Sequence, residues 1–173
     1  MKIIGIVGKF ESGKTTLARM MAKQFPSNNV SVIAFADALK LMIVNADICT
    51  VKEVFVEKTP FSRMIMQKIG TGIFRDQVDE NFWVKKLDEA ISGANQELVI
   101  VHDVRFLSEA KYIKSKGGIL IRITREGKTG DDHRSETEQD SFWADHCVLN
   151  DGSFEDLKAK AKMLMNFVFQ KEG

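Results

Sequence analysis

Short apolar runs alternate along the chain with segments whose apolar residues recur at helical spacing. Five runs have the length and composition of buried parallel strands, at residues 2–7, 30–35, 98–101, 119–123 and 146–149. Helical spacing predicts helices over residues 15–24, 36–46, 61–69, 81–92 and 106–116, and a last helix from residue 154. Strands that alternate with helices predict an α/β fold in three layers, with a five-stranded parallel sheet between helices on both faces.

Two long segments interrupt this alternation. Residues 37–95 are mostly helical, and residues 125–143 are polar and show no apolar period. Because parallel sheets bind ligands beyond the carboxyl ends of their strands, we expect both segments to be insertions over one site there. The chain would then be a single domain, 1–173, with a helical insertion at about 37–95 and a lid at about 125–143. A helix C-cap is predicted at Gly70-Thr71-Gly72, and a turn at residues 26–29.

Composition excludes several classes of protein. The net charge is +1, from 25 basic and 24 acidic residues, which argues against a general nucleic-acid-binding surface. Cys49 and Cys147 belong to no C-x-x-C pair, so neither a disulfide framework nor a zinc knuckle is predicted. We find no signal peptide and no apolar run of membrane-spanning length, and we therefore expect a cytoplasmic protein with no membrane partner.

The connection between the first strand and the first helix carries the clearest chemistry. Residues 8–15, GKFESGKT, match the phosphate-binding pattern G-x-x-x-x-G-K-T. Lys14 would reach the β- and γ-phosphates of ATP, and the Thr15 hydroxyl would bind Mg²⁺. The other predicted ATP-binding residues of this loop are Gly8, Glu11, Ser12, Gly13 and Thr16. The alternative is a glycine turn that binds nothing.

Polar residues follow the other strands. Asp103 would orient Mg²⁺ or hold a phosphate-binding arginine, with a helix N-cap as the alternative. Asp37 would contact an acceptor or cap the next helix. Asn150 and Gly152 follow the last strand and would present backbone groups to the adenine of ATP.

Arginines are the expected phosphate ligands outside the loop, because a guanidinium binds phosphate as a bidentate fork. Arg75 and Arg105 are candidates for the phosphate of an acceptor, and Arg63 is a third. Arg125 and Arg134 lie in the predicted lid, where either would approach the γ-phosphate. For each of these residues the alternative is a solvated charge.

A phosphate-binding loop alone leaves GTPases, ATPase motors and small-molecule kinases open. The N-K-x-D and D-x-x-G strings that GTPases usually carry do not occur in the chain. ATPase motors are usually larger than 173 residues and need additional sensor elements. A short chain with insertions at the strand ends favours a small kinase.

Four further segments, in order along the chain, resemble motifs of bacteriophage deoxynucleoside monophosphate kinases. They are FADALK at residues 35–40, the R-x-x-x-Q-x-x-G-T pattern from Arg63 followed by Arg75 and Trp83, HDVRFLSEA at residues 102–110, and D-H-x-S-E at residues 132–136. The resemblance implies the P-loop nucleoside-monophosphate-kinase fold. It also implies Mg²⁺-dependent transfer of the ATP γ-phosphate to a deoxynucleoside monophosphate.

The same resemblance adds residues to the acceptor side. Beside the arginines, it implies roles for Asp37, Lys40, Gln67, Trp83, His133 and Glu136. Gln67 would hydrogen-bond the base, Trp83 would line the nucleoside pocket, and His133 would contact phosphate or shape the lid. The resemblance allows a homodimer, and a phage-encoded enzyme would work in the host cytoplasm.

Two alternatives stay open at this point. The D-G-x-P-R and R-x-x-G-R strings of adenylate kinases are absent, while the N-D-G-x-x-x-x-L pattern from Asn150 is similar to one in dephospho-coenzyme A kinases. The first alternative is therefore a kinase of another small acceptor. The second is a nucleotide-binding regulatory module without an acceptor, which the arginines outside the loop argue against.

Overall fold

The computed structural model describes residues 1–25, 27, 29–93 and 95–170. The predicted turn at residues 26–29 includes Pro26 and Asn28, which lie outside the described residues. The chain divides into two compact units, which we name the sheet unit (Met1–Ile33 with Asn95–Gly173) and the helical unit (Ala34–Ala94). Among the residues described, none of the helices has the length and apolar character that crossing a membrane requires.

The sheet unit is built on five parallel strands. They are β1 (Lys2–Val7), β2 (Val30–Ile33), β3 (Leu98–Val104), β4 (Ile119–Thr124) and β5 (His146–Leu149). Their order across the sheet is β2-β3-β1-β4-β5, and every neighbouring pair is parallel. The predicted five-stranded parallel sheet is confirmed, with β1 at its centre.

Helices are distributed over both units. In chain order they are α1 (Lys14–Ala22), α2 (Asp37–Asn45), α3 (Pro60–Gln67), α4 (Phe82–Ile91), α5 (Leu107–Ser115), α6 (Arg134–Thr137) and α7 (Phe154–Gln170). The helical unit contains α2, α3 and α4, and the other four belong to the sheet unit. A short 3₁₀ helix, Glu138–Ser141, follows α6 directly.

The two faces of the sheet are covered by different helices. Ile4 and Ile6 of β1 lie in one buried cluster with residues of α1 and α7. Because side chains alternate between faces along a strand, Gly5 faces the opposite side, where Ile113 of α5 lies close to it. The predicted arrangement of helices on both faces is therefore confirmed, and the end of β1 is fixed from both sides.

The register of β1 against β3 shifts by one residue between Gly5 and Val7. Two residues of β3, His102 and Asp103, therefore stand opposite a single residue of β1. Such a bulge re-aims side chains and is frequent next to active sites. The sequence predicted an apolar run at residues 98–101 that ends in His102-Asp103, and parallel pairing with β1 continues one residue further, to Val104.

The helical unit contains two π-helical segments, Lys52–Val56 and Lys68–Val78. Helix α3 begins with the Thr59 hydroxyl accepting a hydrogen bond from the Ser62 N–H, and Pro60 occupies its first turn. At its other end α3 continues without a break into the second π-helical segment.

The predicted C-cap at Gly70-Thr71-Gly72 is therefore wrong. Gly70 and Gly72 do not adopt the left-handed backbone that such a cap needs. Instead, Gly70 makes room for Leu39, whose Cδ2 would stand 2.6 Å from an added Cβ. Its carbonyl accepts a hydrogen bond from the indole N–H of Trp83 at 2.8 Å. Gly70 therefore serves close packing inside a continuing helix, which a sequence pattern does not reveal.

Asp145 ties the start of β4 to the residues just before β5. Its carboxylate accepts hydrogen bonds from the Leu120 N–H at 2.7 Å and from Lys114 Nζ at 2.8 Å. Partial burial raises the pKa of Asp145, but the hydrogen bonds from Lys114 and Leu120 outweigh this effect and hold its pKa below the ordinary value.

We expect Asp145→Asn to lower the free energy of unfolding in a pH-dependent way. A carboxyl group whose pKa is depressed by folding adds stability above its unfolded pKa, and this stability is lost as the pH falls through the folded value. The difference between the wild type and the variant should be about 1 kcal/mol or less at pH 7, because the pair is partly exposed. It should shrink below about pH 4. Urea unfolding across this range measures it, and an equal difference at pH 3 and pH 7 would contradict the assignment.

Candidate active site

The loop between β1 and α1 has the backbone of an anion-binding turn. Glu11 and Gly13 both adopt left-handed conformations, with φ of 60° and 104°. When neighbouring residues alternate between right-handed and left-handed backbone conformations, their N–H groups point into one concavity. Such a concavity can bind a phosphate group. Helix α1 begins at Lys14 and has no acidic residue in its first turn, so the positive end of its dipole is not neutralised there.

Lys14 folds back over this loop. Its side chain is largely buried, and its Nζ donates hydrogen bonds to the carbonyl oxygens of Gly8 at 2.7 Å and Lys9 at 2.6 Å. These carbonyls are neutral ligands of the ammonium group. Charge-assisted hydrogen bonds are stronger than bonds to neutral acceptors, so a phosphate oxygen would compete well for the same protons.

Asn150, directly after β5, hydrogen-bonds to the phosphate-binding loop. Its Nδ2 donates to the Ser12 carbonyl at 2.9 Å, and its N–H donates to the carbonyl of Thr124 at 2.7 Å. The Ser12 hydroxyl is buried and has no hydrogen-bond partner in the part of the chain that the structure describes. The side chain of Asn150 thus supports the phosphate loop, a role that the sequence did not suggest. Gly152 is exposed.

His102 is a site residue that the sequence analysis missed. His102 belongs to the β3 bulge, and its Nδ1 lies 3.3 Å from the Thr15 hydroxyl. The only signal in the sequence was its position directly before Asp103. A hydroxyl and a carboxylate are hard oxygen donors, so Thr15 and Asp103 fit Mg²⁺ by their chemistry. Over the described ranges, no group of three or more His, Cys, Asp or Glu is placed to hold a metal ion by itself.

The predicted lid, residues 125–143, contacts the phosphate loop through charged side chains. Lys9 Nζ pairs with Asp140 at 2.5 Å, and Lys128 Nζ pairs with Glu11 at 2.5 Å. Both lysine side chains thus link the loop and the lid within the sheet unit.

The two candidate arginines of the lid are exposed. Arg134 donates its Nε to Glu138 at 2.7 Å, within α6 and the turn that follows it. Arg125 lies directly after β4. His133 caps α6, and its Nδ1 accepts a hydrogen bond from the Ser135 N–H at 3.1 Å.

Arg105 and Glu136 form an ion pair in which the carboxylate is buried and the guanidinium is partly buried. Arg105 comes directly after β3, and Glu136 of α6 is only 1% exposed. A second bond runs from Arg105 Nη1 to the carbonyl of Ser135 at 3.3 Å. The other carboxylate oxygen of Glu136 accepts the Phe10 N–H of the phosphate loop at 2.8 Å. Arg105, the lid and the loop are therefore joined through one carboxylate.

In the helical unit, Asp37 and Lys40 form a pair within α2, with Nζ 2.8 Å from Oδ1. The other oxygen of Asp37 accepts the Ala34 N–H at 2.8 Å, so this carboxylate also supports the start of the helix. Lys40 is buried, and its ammonium lies 4.8 Å from the centre of the Phe55 ring.

The remaining candidates of the helical unit lie on α3, α4 and the second π-helical segment. Arg75 is 4% exposed and donates its Nη1 to the carbonyl of Glu80 at 2.8 Å. Trp83 is 5% exposed and uses its indole N–H for the Gly70 carbonyl, as a packed core residue does. Arg63 and Gln67 are half-buried on α3.

Solved structures with the same fold define the class of protein. Shikimate kinase from Acinetobacter baumannii superposes with a TM-score of 0.53 at 11% identity, over 99% of this chain and 95% of that chain. APS kinase from Mycobacterium tuberculosis gives a TM-score of 0.50 at 14% identity, over 96% of each chain. At these identities the likeness shows the fold alone. Together with the GKFESGKT loop, it defines a protein with the P-loop kinase fold.

Sequence comparisons give the family. The deoxynucleotide monophosphate kinase family model matches residues 27–161. A protein of Acanthamoeba polyphaga mimivirus is 30% identical over 175 residues, which cover 86% of this chain and 88% of that protein. It carries a provisional form of the same name. The deoxynucleotide monophosphate kinase of Enterobacteria phage T4 is 33% identical over 106 residues, 58% of this chain. The chain belongs to the deoxynucleotide monophosphate kinase family.

The match spans less than half of the phage relatives. It covers 43% of the phage T4 protein and 44% of the Escherichia phage RB69 protein, which is 28% identical over 109 residues. The earlier alternative, a dephospho-coenzyme A kinase, is not favoured by these matches.

We expect Asn150→Ala to weaken ATP binding about fivefold, because the Ser12 carbonyl loses a hydrogen bond that supports the loop. Asn150→Asp should weaken it further, since a carboxylate would face that carbonyl and repel phosphate. Titration calorimetry with ATP measures both variants. Asp151→Asn, at an exposed neighbouring position, is the matched control and should bind ATP as the wild type does. Equal affinity of Asn150→Asp and the wild type would show that Asn150 does not support the loop.

Proposed function

We propose that this protein transfers the γ-phosphate of ATP to a deoxynucleoside 5′-monophosphate and releases the diphosphate and ADP. The observation that carries the proposal is the family match over residues 27–161, behind an intact phosphate-binding loop at residues 8–15. The relatives from phage T4 and phage RB69 carry the name of this activity.

The sheet unit would bind ATP. Lys14 would exchange its two carbonyl partners for phosphate oxygens, while the left-handed turn at Glu11 and Gly13 supplies N–H donors. Thr15, with Asp103 either directly or through water, would hold Mg²⁺. When bound, this ion would neutralise the charge that develops on the phosphates.

The acceptor side has its own set of proposed residues. Arg75 and Arg105 would bind the acceptor phosphate, with Arg63 as a third cation. Asp37, Lys40 and Gln67 would contact the nucleoside. Trp83, whose indole N–H is already bound to Gly70, would shape the nucleoside pocket by packing.

Charge neutralisation and positioning are the chemical work of such a site. Donor and acceptor phosphates repel each other, and the attacking oxygen needs no covalent help from the protein. Cations that hold both phosphates in line therefore supply most of the acceleration. The lid would exclude water, which would otherwise accept the phosphoryl group. A homodimer and a cytoplasmic location stay predictions.

The test of the proposal is Mg²⁺-ATP turnover with a panel of acceptors, measured as coupled ADP release. We expect turnover with one or more of dTMP, dGMP, dCMP and dAMP, and a roughly 10³-fold loss in Lys14→Ala because a central phosphate ligand disappears. Lys158→Ala, at an exposed lysine of α7, is the control and should keep full activity.

Two results would contradict the proposal. Turnover with dephospho-coenzyme A alone would assign a different acceptor. ATP hydrolysis that ignores every acceptor would leave a nucleotide-binding module.

We expect Arg75→Lys to lower kcat/KM for the acceptor about tenfold to a hundredfold and to leave ATP affinity unchanged. Lysine keeps the charge but loses the planar fork that binds phosphate at two points. Lys68→Gln, at an exposed lysine of the same π-helical segment, is the control. Steady-state kinetics with varied acceptor measure the effect, and an unchanged kcat/KM would remove Arg75 from the acceptor site.

A further inference from the structure

The Glu136 carboxylate is the most deeply buried acidic group near the phosphate loop. It lies on α6 in the lid and is 1% exposed, although the segment around it is polar. Burying a carboxylate is costly unless both of its oxygens find donors. The donors that bind its two oxygens therefore indicate the role of Glu136.

Each oxygen of Glu136 has a different partner. One is paired with the guanidinium of Arg105, and the other accepts the Phe10 N–H of the phosphate loop at 2.8 Å. The backbone carbonyl of Glu136 also accepts a hydrogen bond from Lys9 Nζ, a second link to the loop. A single lid residue thus fixes the arginine after β3 and the first half of the loop at the same time.

Gly130 lies beside Glu136, at a position that needs a glycine. Gly130 has a left-handed φ of 79°, and a Cβ there would stand 2.6 Å from Glu136 Oε2. Any side chain at position 130 would therefore push against the oxygen that accepts the Phe10 N–H.

We propose that Glu136 is a positioning residue for phosphoryl transfer, which holds Arg105 and the phosphate loop in register when the lid is closed. This role differs from acceptor binding, which the family resemblance implied for Glu136. A carboxylate in contact with an acceptor phosphate would repel it, and both oxygens of Glu136 are already engaged by protein donors. The inference rests on the proposed function, because Arg105 is the residue through which Glu136 acts.

The isosteric variant Glu136→Gln tests this role. A carboxylate accepts hydrogen bonds at both ends, whereas an amide must turn an NH₂ group toward either Arg105 or the Phe10 N–H, and a donor would then face a donor. We expect kcat to fall about tenfold to a hundredfold. The ATP dissociation constant should change by less than about threefold, because Lys14, Thr15 and the other loop amides still bind the phosphates.

Two variants separate positioning from general damage to the lid. Glu136→Asp restores two acceptor oxygens and should recover part of the lost kcat. Asp140→Asn breaks the exposed pair with Lys9, another link between lid and loop, and should keep kcat within about twofold of the wild type. Gly130→Ala displaces the carboxylate without removing it, and it should reproduce the kinetic loss if Glu136→Gln fails to fold.

Three outcomes would overturn the inference while wild-type turnover with a deoxynucleotide leaves the proposed function intact. One is a kcat of folded Glu136→Gln equal to that of the wild type. Another is tighter ATP binding by this variant, which would show that the carboxylate competes with phosphate for the loop. The third is an equal loss of kcat in Asp140→Asn, which would show that breaking any contact between the lid and the loop lowers kcat. Absence of turnover in the wild type would instead remove the proposed function itself.

Discussion

The parallel pairing of β1 with β3 on one side and with β4 on the other determines where the polar groups around the phosphate loop lie. Parallel strands end at one edge, so the loop after β1 meets residues at the ends of other strands. His102 of the neighbouring strand β3 reaches the Thr15 hydroxyl, and Asn150, which follows β5 on the far side of β4, reaches the Ser12 carbonyl. The loop is therefore held by side chains far away in sequence, and its conformation depends on the whole sheet unit.

Charge around this loop is balanced locally. Three cations near the loop face carboxylates, in the pairs Lys9–Asp140, Lys128–Glu11 and Arg105–Glu136, whereas Lys14 donates to backbone carbonyls. This balance explains how a site for a polyanion is compatible with a net charge of only +1. The two exposed lysine pairs are weak and readily exchanged with solvent, whereas the Arg105–Glu136 pair, whose carboxylate is buried, has no such freedom.

Much of the fold follows from patterns in the sequence, and the site follows only in part. Strands β1 and β5 were predicted with their observed bounds, because an apolar run between turn residues is a local signal. The continuation of α3 past Gly70 was not predictable, since it depends on contacts with Leu39 and Trp83. The pattern of the loop identified Lys14 and Thr15, but it gave no sign of His102. The contact of His102 with Thr15 occurs at a shift in strand register, and no local sequence pattern encodes such a shift.

The π-helical stretch Lys68–Val78 has a consequence for the number of residues that this part of the fold can accommodate. A π-turn can be regarded as an α-turn with one added residue, so a single deletion there can be absorbed by tightening the helix. Evolution can thus change the length of this stretch without rebuilding the elements beside it. Arg75 lies within the stretch, and an alignment that forbids gaps inside helices would pair it with the wrong position in a relative whose helix is one residue shorter.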